Sequence, residues 1–350
     1  MTLSPADGRP TVVARLAAPR DPSLDIVKGI AITLVVLGHT LQGLGHRGWW
    51  NTPSSRLLID FIYSFHMPAF FFVSGLLVSG SMARRSTSGF LIDKVRTILY
   101  PYLLWIAIDA ATEPLTAGFR STARISIVEY VQKALRGEQS WFLQCLFLLM
   151  VLSLLTRRLP DWLRALLAVS VCVLTPASHN AVIEPVLREW VFVAAGQLAG
   201  SRIRALEGLG PWLAAGLLTA LAAVQLAAVG VLQPAIADYP LRSHALFVAL
   251  GLGGTTGLFC AAKLLRGSRL AELCAWVGEA SIAVYLLHPY FQGGTRLAIV
   301  FLFHTHRALP HLLLTTAVAT LVPALIWHNR RRLHVGLLFS WDGDAVKRRS

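Results

Sequence analysis

Leu24-Asp25-Ile26-Val27-Lys28-Gly29-Ile30-Ala31-Ile32-Thr33-Leu34-Val35-Val36-Leu37-Gly38-His39-Thr40 opens the first long apolar run of the chain and decides how the rest is read. Between Lys28 and His39 every residue is apolar or small except Thr33, and a helix of about 20 such residues crosses the hydrocarbon layer of a bilayer. Comparable runs recur at Leu143–Leu155, Leu213–Leu232 and Leu312–Trp327. Across the 350 residues, 55% are hydrophobic and 14% charged, and the mean hydropathy is +0.59. Soluble domains carry about 25% charged residues, so an ordinary soluble enzyme is excluded. The expected fold is all-α, a polytopic integral membrane protein.

About ten spans are expected, near 24–45, 57–79, 97–112, 141–156, 162–177, 186–200, 211–232, 243–264, 273–292 and 309–328. Residues 1–22, with four prolines and no apolar core long enough for a secretory signal, read as a disordered cytoplasmic lead. Residues 23–328 form one membrane domain and 329–350 a basic cytoplasmic tail. The formal net charge of +14 would suggest nucleic-acid binding in a soluble chain. Here, with both termini placed inside, 22 of the 32 Lys and Arg residues fall on the inner side. This is the asymmetry that orients membrane proteins, so the charge calls for no nucleic-acid partner. In the long outer loop at about 113–140, Ile125, Val128, Val131 and Leu135 recur at helical spacing and read as an amphipathic surface helix. Cys145, Cys172, Cys260 and Cys274 lack CxxC spacing and read as small packing residues. His304 and His306 lack carboxylate or thiolate support, and no metal site is expected.

Ionisable groups inside spans are costly and mark function by default. Asp25 and Lys28 share a helical face and can pair. His39 lies eleven residues beyond Lys28, about 16 Å along a helix, in the outer half of the membrane. Asp60 and His66 lie in the second span, and His66 reaches a depth similar to His39, so both imidazoles can face one cavity. Pro68 frees a backbone carbonyl beside it. Arg84, Arg85, Lys94 and Arg96 concentrate positive charge at one inner mouth, where phosphates or lipid headgroups bind. Ser281, Tyr285 and His288 are spaced four and three apart and share a face of the ninth span.

These residues, taken in order, resemble the acyltransferase 3 family of integral membrane O-acyltransferases, and most closely its fucose 4-O-acetylase-like branch. The resemblance rests on Leu24–Ile30 with Val36–Thr40, on Phe65-His66-Met67-Pro68 with Phe71–Gly75, on Tyr100-Pro101-Tyr102, on Trp141-Phe142-Leu143 and on Tyr285-Leu286-Leu287-His288-Pro289. The motifs keep the family's order over roughly residues 20–292, and the spans between 157 and 270 match only in being apolar. Lys28 and His39 stand at the family's basic residue and histidine, where many members carry Arg at the first position. A second family element, two arginines separated by three residues before the third span, is replaced here by Lys94 and Arg96.

The resemblance implies transfer of an acyl group, most often acetyl, from cytoplasmic acetyl-CoA to a hydroxyl of an extracytoplasmic or lipid-linked carbohydrate. It implies His39 as base or acyl carrier, with His288, Tyr285 and His66 as catalytic partners. Lys28, Lys94 and Arg96 are then the groups for acyl-CoA, and Trp141, Gln144 and Asp60 those for the acceptor. The implied location is the cell membrane of a bacterium. Two other classes stand beside this reading: a transporter or exporter whose intramembrane histidines relay protons, and a catalytically silent relative.

Overall fold

The computed structural model describes residues 22–116, 126–138, 140–174, 181–232, 234 and 240–343. The expected lead at 1–22, apart from Pro22, lies outside them, as do Arg120, Arg124, Ile125 and the basic end Lys347–Arg349. Among the described residues the chain is all-helical. The helices are α1 (Pro22–His46), α2 (Pro53–Tyr63), α3 (His66–Ala83), α4 (Thr87–Lys94), α5 (Tyr100–Thr116), α6 (Ile127–Leu135), α7 (Trp141–Leu155) and α8 (Asp161–Leu174). They continue with α9 (Ile183–Ala199), α10 (Pro211–Ala227), α11 (Pro240–Leu265), α12 (Arg269–Glu279), α13 (Ser281–Phe303) and α14 (Ala308–Asn329).

Each of the ten expected spans holds a helix, but among the described residues five stretches are long and apolar enough to cross a membrane: Pro22–His46, Pro53–Ala83, Pro211–Leu232, Ser243–Leu265 and Ala308–Asn329. A sixth is obtained if α12 and α13 count as one broken span. Helices α5, α7, α8 and α9 have 14 to 17 residues and are shorter than a bilayer needs.

Three expected spans differ in detail from what forms. The second is interrupted, because α2 ends at Tyr63 and α3 restarts at His66. Pro68 therefore sits in the first turn of α3, where a missing N–H costs nothing. The ninth is not one helix: α12 and α13 meet at Ala280 with a bend of 84°. The third begins with a π-helical stretch, Val95–Leu99, whose following N–H, that of Tyr100, bonds to the carbonyl of Val95. Pro101 has no N–H to offer the carbonyl four residues back, so the ladder widens there.

The bend at Ala280 lets α12 lie along the start of α1. A Cβ on Gly29 would fall 1.8 Å from the Cys274 carbonyl oxygen, and one on Gly278 would fall 1.8 Å from that of Asp25. The two backbones therefore touch, which is how helices associate when lipid supplies no hydrophobic drive. This contact fixes the base of α1, where Asp25 is buried and pairs with Lys28 at 2.6 Å. Asp25 in the first turn also suits the helix dipole.

In the surface helix α6 the inward residues are Tyr130 and Ala134, whereas Val128 and Leu135 are exposed. The apolar pair of the expected surface helix thus faces away from the protein, as a helix lying on a bilayer surface requires. The Tyr102 hydroxyl holds α6 down by donating to the Ala134 carbonyl at 3.0 Å. Beyond α14 the chain folds back under α5. Trp105 Nε1 donates to the Leu338 carbonyl at 2.8 Å and the Trp341 N–H to that of Arg96 at 3.0 Å.

Candidate active site

His39, Tyr63, His66 and His288 come together at one end of a cavity of about 420 Å³. Helix α1 supplies His39, the end of α2 Tyr63, the first residue of α3 His66, and α13 the Tyr285, His288 and Gln292 face. Tyr63 and His66, three residues apart across the break between α2 and α3, share a face and their rings lie 4.7 Å apart. The His39 and His288 rings stack at 5.3 Å.

The proton positions on the three imidazoles follow from their partners. A carbonyl can only accept, so His66 Nδ1 donates to Ile62 O at 2.8 Å. His288 Nδ1 likewise donates to Tyr285 O at 2.8 Å, with Val284 O at 3.1 Å. The Tyr285 carbonyl is free because Pro289, four residues on, has no N–H. The Tyr63 hydroxyl donates to Gln42 Oε1 at 2.8 Å, which leaves its oxygen to accept from His39 Nδ1 at 3.2 Å. In each ring Nε2 then carries the lone pair.

Access separates the three. His66 is 2% and His288 5% exposed, whereas His39 is an exposed residue because its ring looks into the cavity. Of the three imidazoles, His39 is the one that presents most surface to the cavity. Gly38 contributes to the same geometry, since a Cβ there would lie 2.7 Å from Tyr63 Cε2. Gln292 ties α13 to α1, donating to Val36 O at 2.8 Å and to Thr40 Oγ1 at 2.9 Å.

A second, narrower cavity of about 150 Å³ shares Val35, Met67 and Tyr285 with the first. Lys28 lies in its lining with Ser74 and Ser281, and the other walls are mainly apolar. Lys28 and His39, on one helix, thus line two neighbouring cavities that share a wall.

The remaining expected residues divide. Trp141 lines the large cavity. Gln144 does not; its amide donates to Leu135 O at 2.9 Å and ties α7 to α6. Asp60 is exposed on α2, outside both cavities. Lys94 pairs with Asp93 at 2.9 Å and Arg96 with Asp342 at 3.3 Å, and neither lines a cavity. Tyr63, Gln292, Arg188 and Glu189, to which the sequence assigned no role, also line the large cavity, and so does Asp109, which accepts from the Tyr290 hydroxyl. The signal for Arg188 and Glu189 was available, since both lie in an apolar segment where ionisable residues are expensive. Among the described residues, no group of three or more His, Cys, Asp or Glu could hold a metal ion.

The site is thus an imidazole, exposed to a cavity lined by further histidines and carboxyl groups, within an all-helical chain that holds five to six candidate membrane spans among its described residues. Residues 21–328 match the acyltransferase domain model of the acyltransferase 3 family, and the chain belongs to that family. Nodulation protein NolL of Sinorhizobium fredii (strain NBRC 101917 / NGR234) is 35% identical over 175 residues, 48% of this chain and 45% of that protein. Nodulation protein NolL of Mesorhizobium japonicum (strain LMG 29417 / CECT 9101 / MAFF 303099) is 42% identical over 89 residues, 25% of this chain and 23% of that protein. The chain thus spans less than half the length of the curated relatives it matches. No solved structure matches it.

Proposed function

We propose that this protein is a membrane-bound O-acyltransferase that moves an acyl group, most simply acetyl, from acyl-CoA to a hydroxyl of an extracytoplasmic or lipid-linked carbohydrate. One observation carries the reading: His39 lines a cavity that also carries charged and polar side chains, and the smaller, more apolar cavity with Lys28 in its wall shares Val35, Met67 and Tyr285 with it. The acyl thioester occupies the apolar space with Lys28 toward the CoA phosphates, and the acceptor occupies the polar one. The acceptor oxygen attacks the thioester carbonyl carbon while its proton passes to His39 Nε2. The tetrahedral oxyanion takes a hydrogen bond from the Tyr285 hydroxyl. Its collapse breaks the C–S bond, and His39 returns the proton to the leaving thiolate. His66 and His288 are positioning residues that hold the walls of the site.

Lys94 and Arg96 serve the CoA phosphates at the mouth once their carboxylate partners yield, and the excess of cations on one side supports a cytoplasmic position for that mouth and for both termini. With the bent α12–α13 pair counted as one span, the four short helices complete ten crossings in this arrangement, spanning where the bilayer thins around them. The resemblance to the fucose 4-O-acetylase-like branch supports a sugar hydroxyl as acceptor, in the cell membrane of a bacterium. Membranes carrying the protein are given radiolabelled acetyl-CoA and the host's surface glycans. Label should enter glycan with the wild type and fall to background with His39→Ala; equal transfer by both removes His39 from the chemistry. A reporter fused after Ser350 should be active only in its cytoplasmic form.

A further inference from the structure

The lining of the large cavity also includes Arg188 and Glu189 of α9, which the acyl-transfer chemistry does not use. Glu189 is 1% exposed and its Oε1 lies 3.3 Å from an Arg188 Nη, while Oε2 has no hydrogen-bond partner. Arg188 Nε is also without one. Its guanidinium lies over the Phe247 ring at 4.8 Å, which fixes the plane of the fork. A buried donor and a buried acceptor left open side by side are costly in a resting protein, and a ligand that both gives and takes hydrogen bonds removes that cost. Trp141 lines the same cavity and offers an aromatic surface of the kind that covers the apolar face of a sugar ring.

The charges in the lining narrow the ligand. Among the described residues Arg188 is its one Lys or Arg, against three carboxyl side chains, Asp109, Glu138 and Glu189. Such a cavity repels carboxylated or phosphorylated sugars and admits neutral ones.

We propose that Arg188 and Glu189 are the specificity-determining pair for the acceptor and that they read a vicinal diol of an uncharged sugar. One hydroxyl accepts from the guanidinium and its neighbour donates to Glu189 Oε2. This rests on the acyltransferase reading above, and two readouts keep the two apart. In the first, host surface glycans are split by anion exchange into neutral and acidic pools and offered with radiolabelled acetyl-CoA to membranes of wild type, Arg188→Lys and Glu189→Gln. Label should enter the neutral pool, and both variants should raise the KM for that pool about tenfold while the KM for acetyl-CoA stays within about twofold. Transfer chiefly to the acidic pool, or an unchanged glycan KM in both variants, overturns the proposal. The second readout is equilibrium binding of the tritiated neutral pool to detergent-purified, monodisperse protein without acetyl-CoA. Binding by the wild type that is lost in both variants supports the pair even if no pool is ever acetylated, an outcome that would sink only the transfer reading. Equal binding by all three proteins, or none by the wild type, overturns it.

Discussion

Tyr63→Phe isolates the role of the hydroxyl that holds His39. The substitution keeps the ring, and with it the edge contacts to His39 at 5.9 Å and His66 at 4.7 Å between centroids. It removes one oxygen that accepts from His39 Nδ1 at 3.2 Å and donates to Gln42 Oε1 at 2.8 Å. A net hydrogen bond contributes about 1 kcal/mol, and an unsatisfied partner costs about 1–3 kcal/mol. Because His39 faces an open cavity, water replaces part of the loss, which sets the expected effect at about 1–2 kcal/mol. If that energy holds the productive tautomer and ring angle, it is needed in the transition state, and kcat falls about 5- to 30-fold. The KM for acetyl-CoA stays within about twofold, since Tyr63 does not line the apolar cavity. Initial rates of label transfer at saturating acetyl-CoA, with thermal unfolding as control, measure this. A wild-type kcat in a folded Tyr63→Phe protein would refute the claim that this chain of hydrogen bonds orients the base.

Gly38→Ala pushes a methyl group to 2.7 Å from Tyr63 Cε2 and should lower kcat to a similar degree, with less than additive loss in the double variant because both act on one contact. His288→Asn, whose amide can still donate to the carbonyl that Pro289 leaves free, should melt at a higher temperature than His288→Ala. Gly278→Ala sets a methyl group 1.8 Å from the Asp25 carbonyl oxygen and must drive α12 off α1. It should be the most destabilising of these changes, seen as loss of monodisperse protein on gel filtration in detergent.

The two ends of the site were not equally legible. Lys28 and His39 stood out because a charged residue and an imidazole in an otherwise apolar run have a cost that only function or pairing explains, and helical rise alone sets their separation. Tyr285 and His288 followed from spacing on one face. Asp60 draws notice for the same reason as His39, a costly group in an apolar run, but α2 leaves it exposed outside both cavities, a placement that spacing alone does not reveal. Gln144 has the polarity of a ligand group, but its partner is a backbone carbonyl on α6 that no spacing rule foresees. The bend at Ala280 was hidden likewise, since neither Glu279 nor Ser281 is a helix breaker, and the backbone contact of Gly278 with α1 becomes visible only in three dimensions.

The committed Nδ1 atoms have a consequence for how protons move. An imidazole passes a proton along a wire by taking it at one nitrogen and releasing it from the other. Here the far nitrogen of His66 and of His288 ends on a backbone carbonyl, and that of His39 leads through Tyr63 to the side-chain oxygen of Gln42. Each is a dead end, for neither an amide nor a peptide oxygen holds a proton near neutral pH. A proton taken up at Nε2 leaves by Nε2, into the same cavity. These histidines can lend and recover a proton within one reaction, and they are poorly arranged to conduct one across the bilayer.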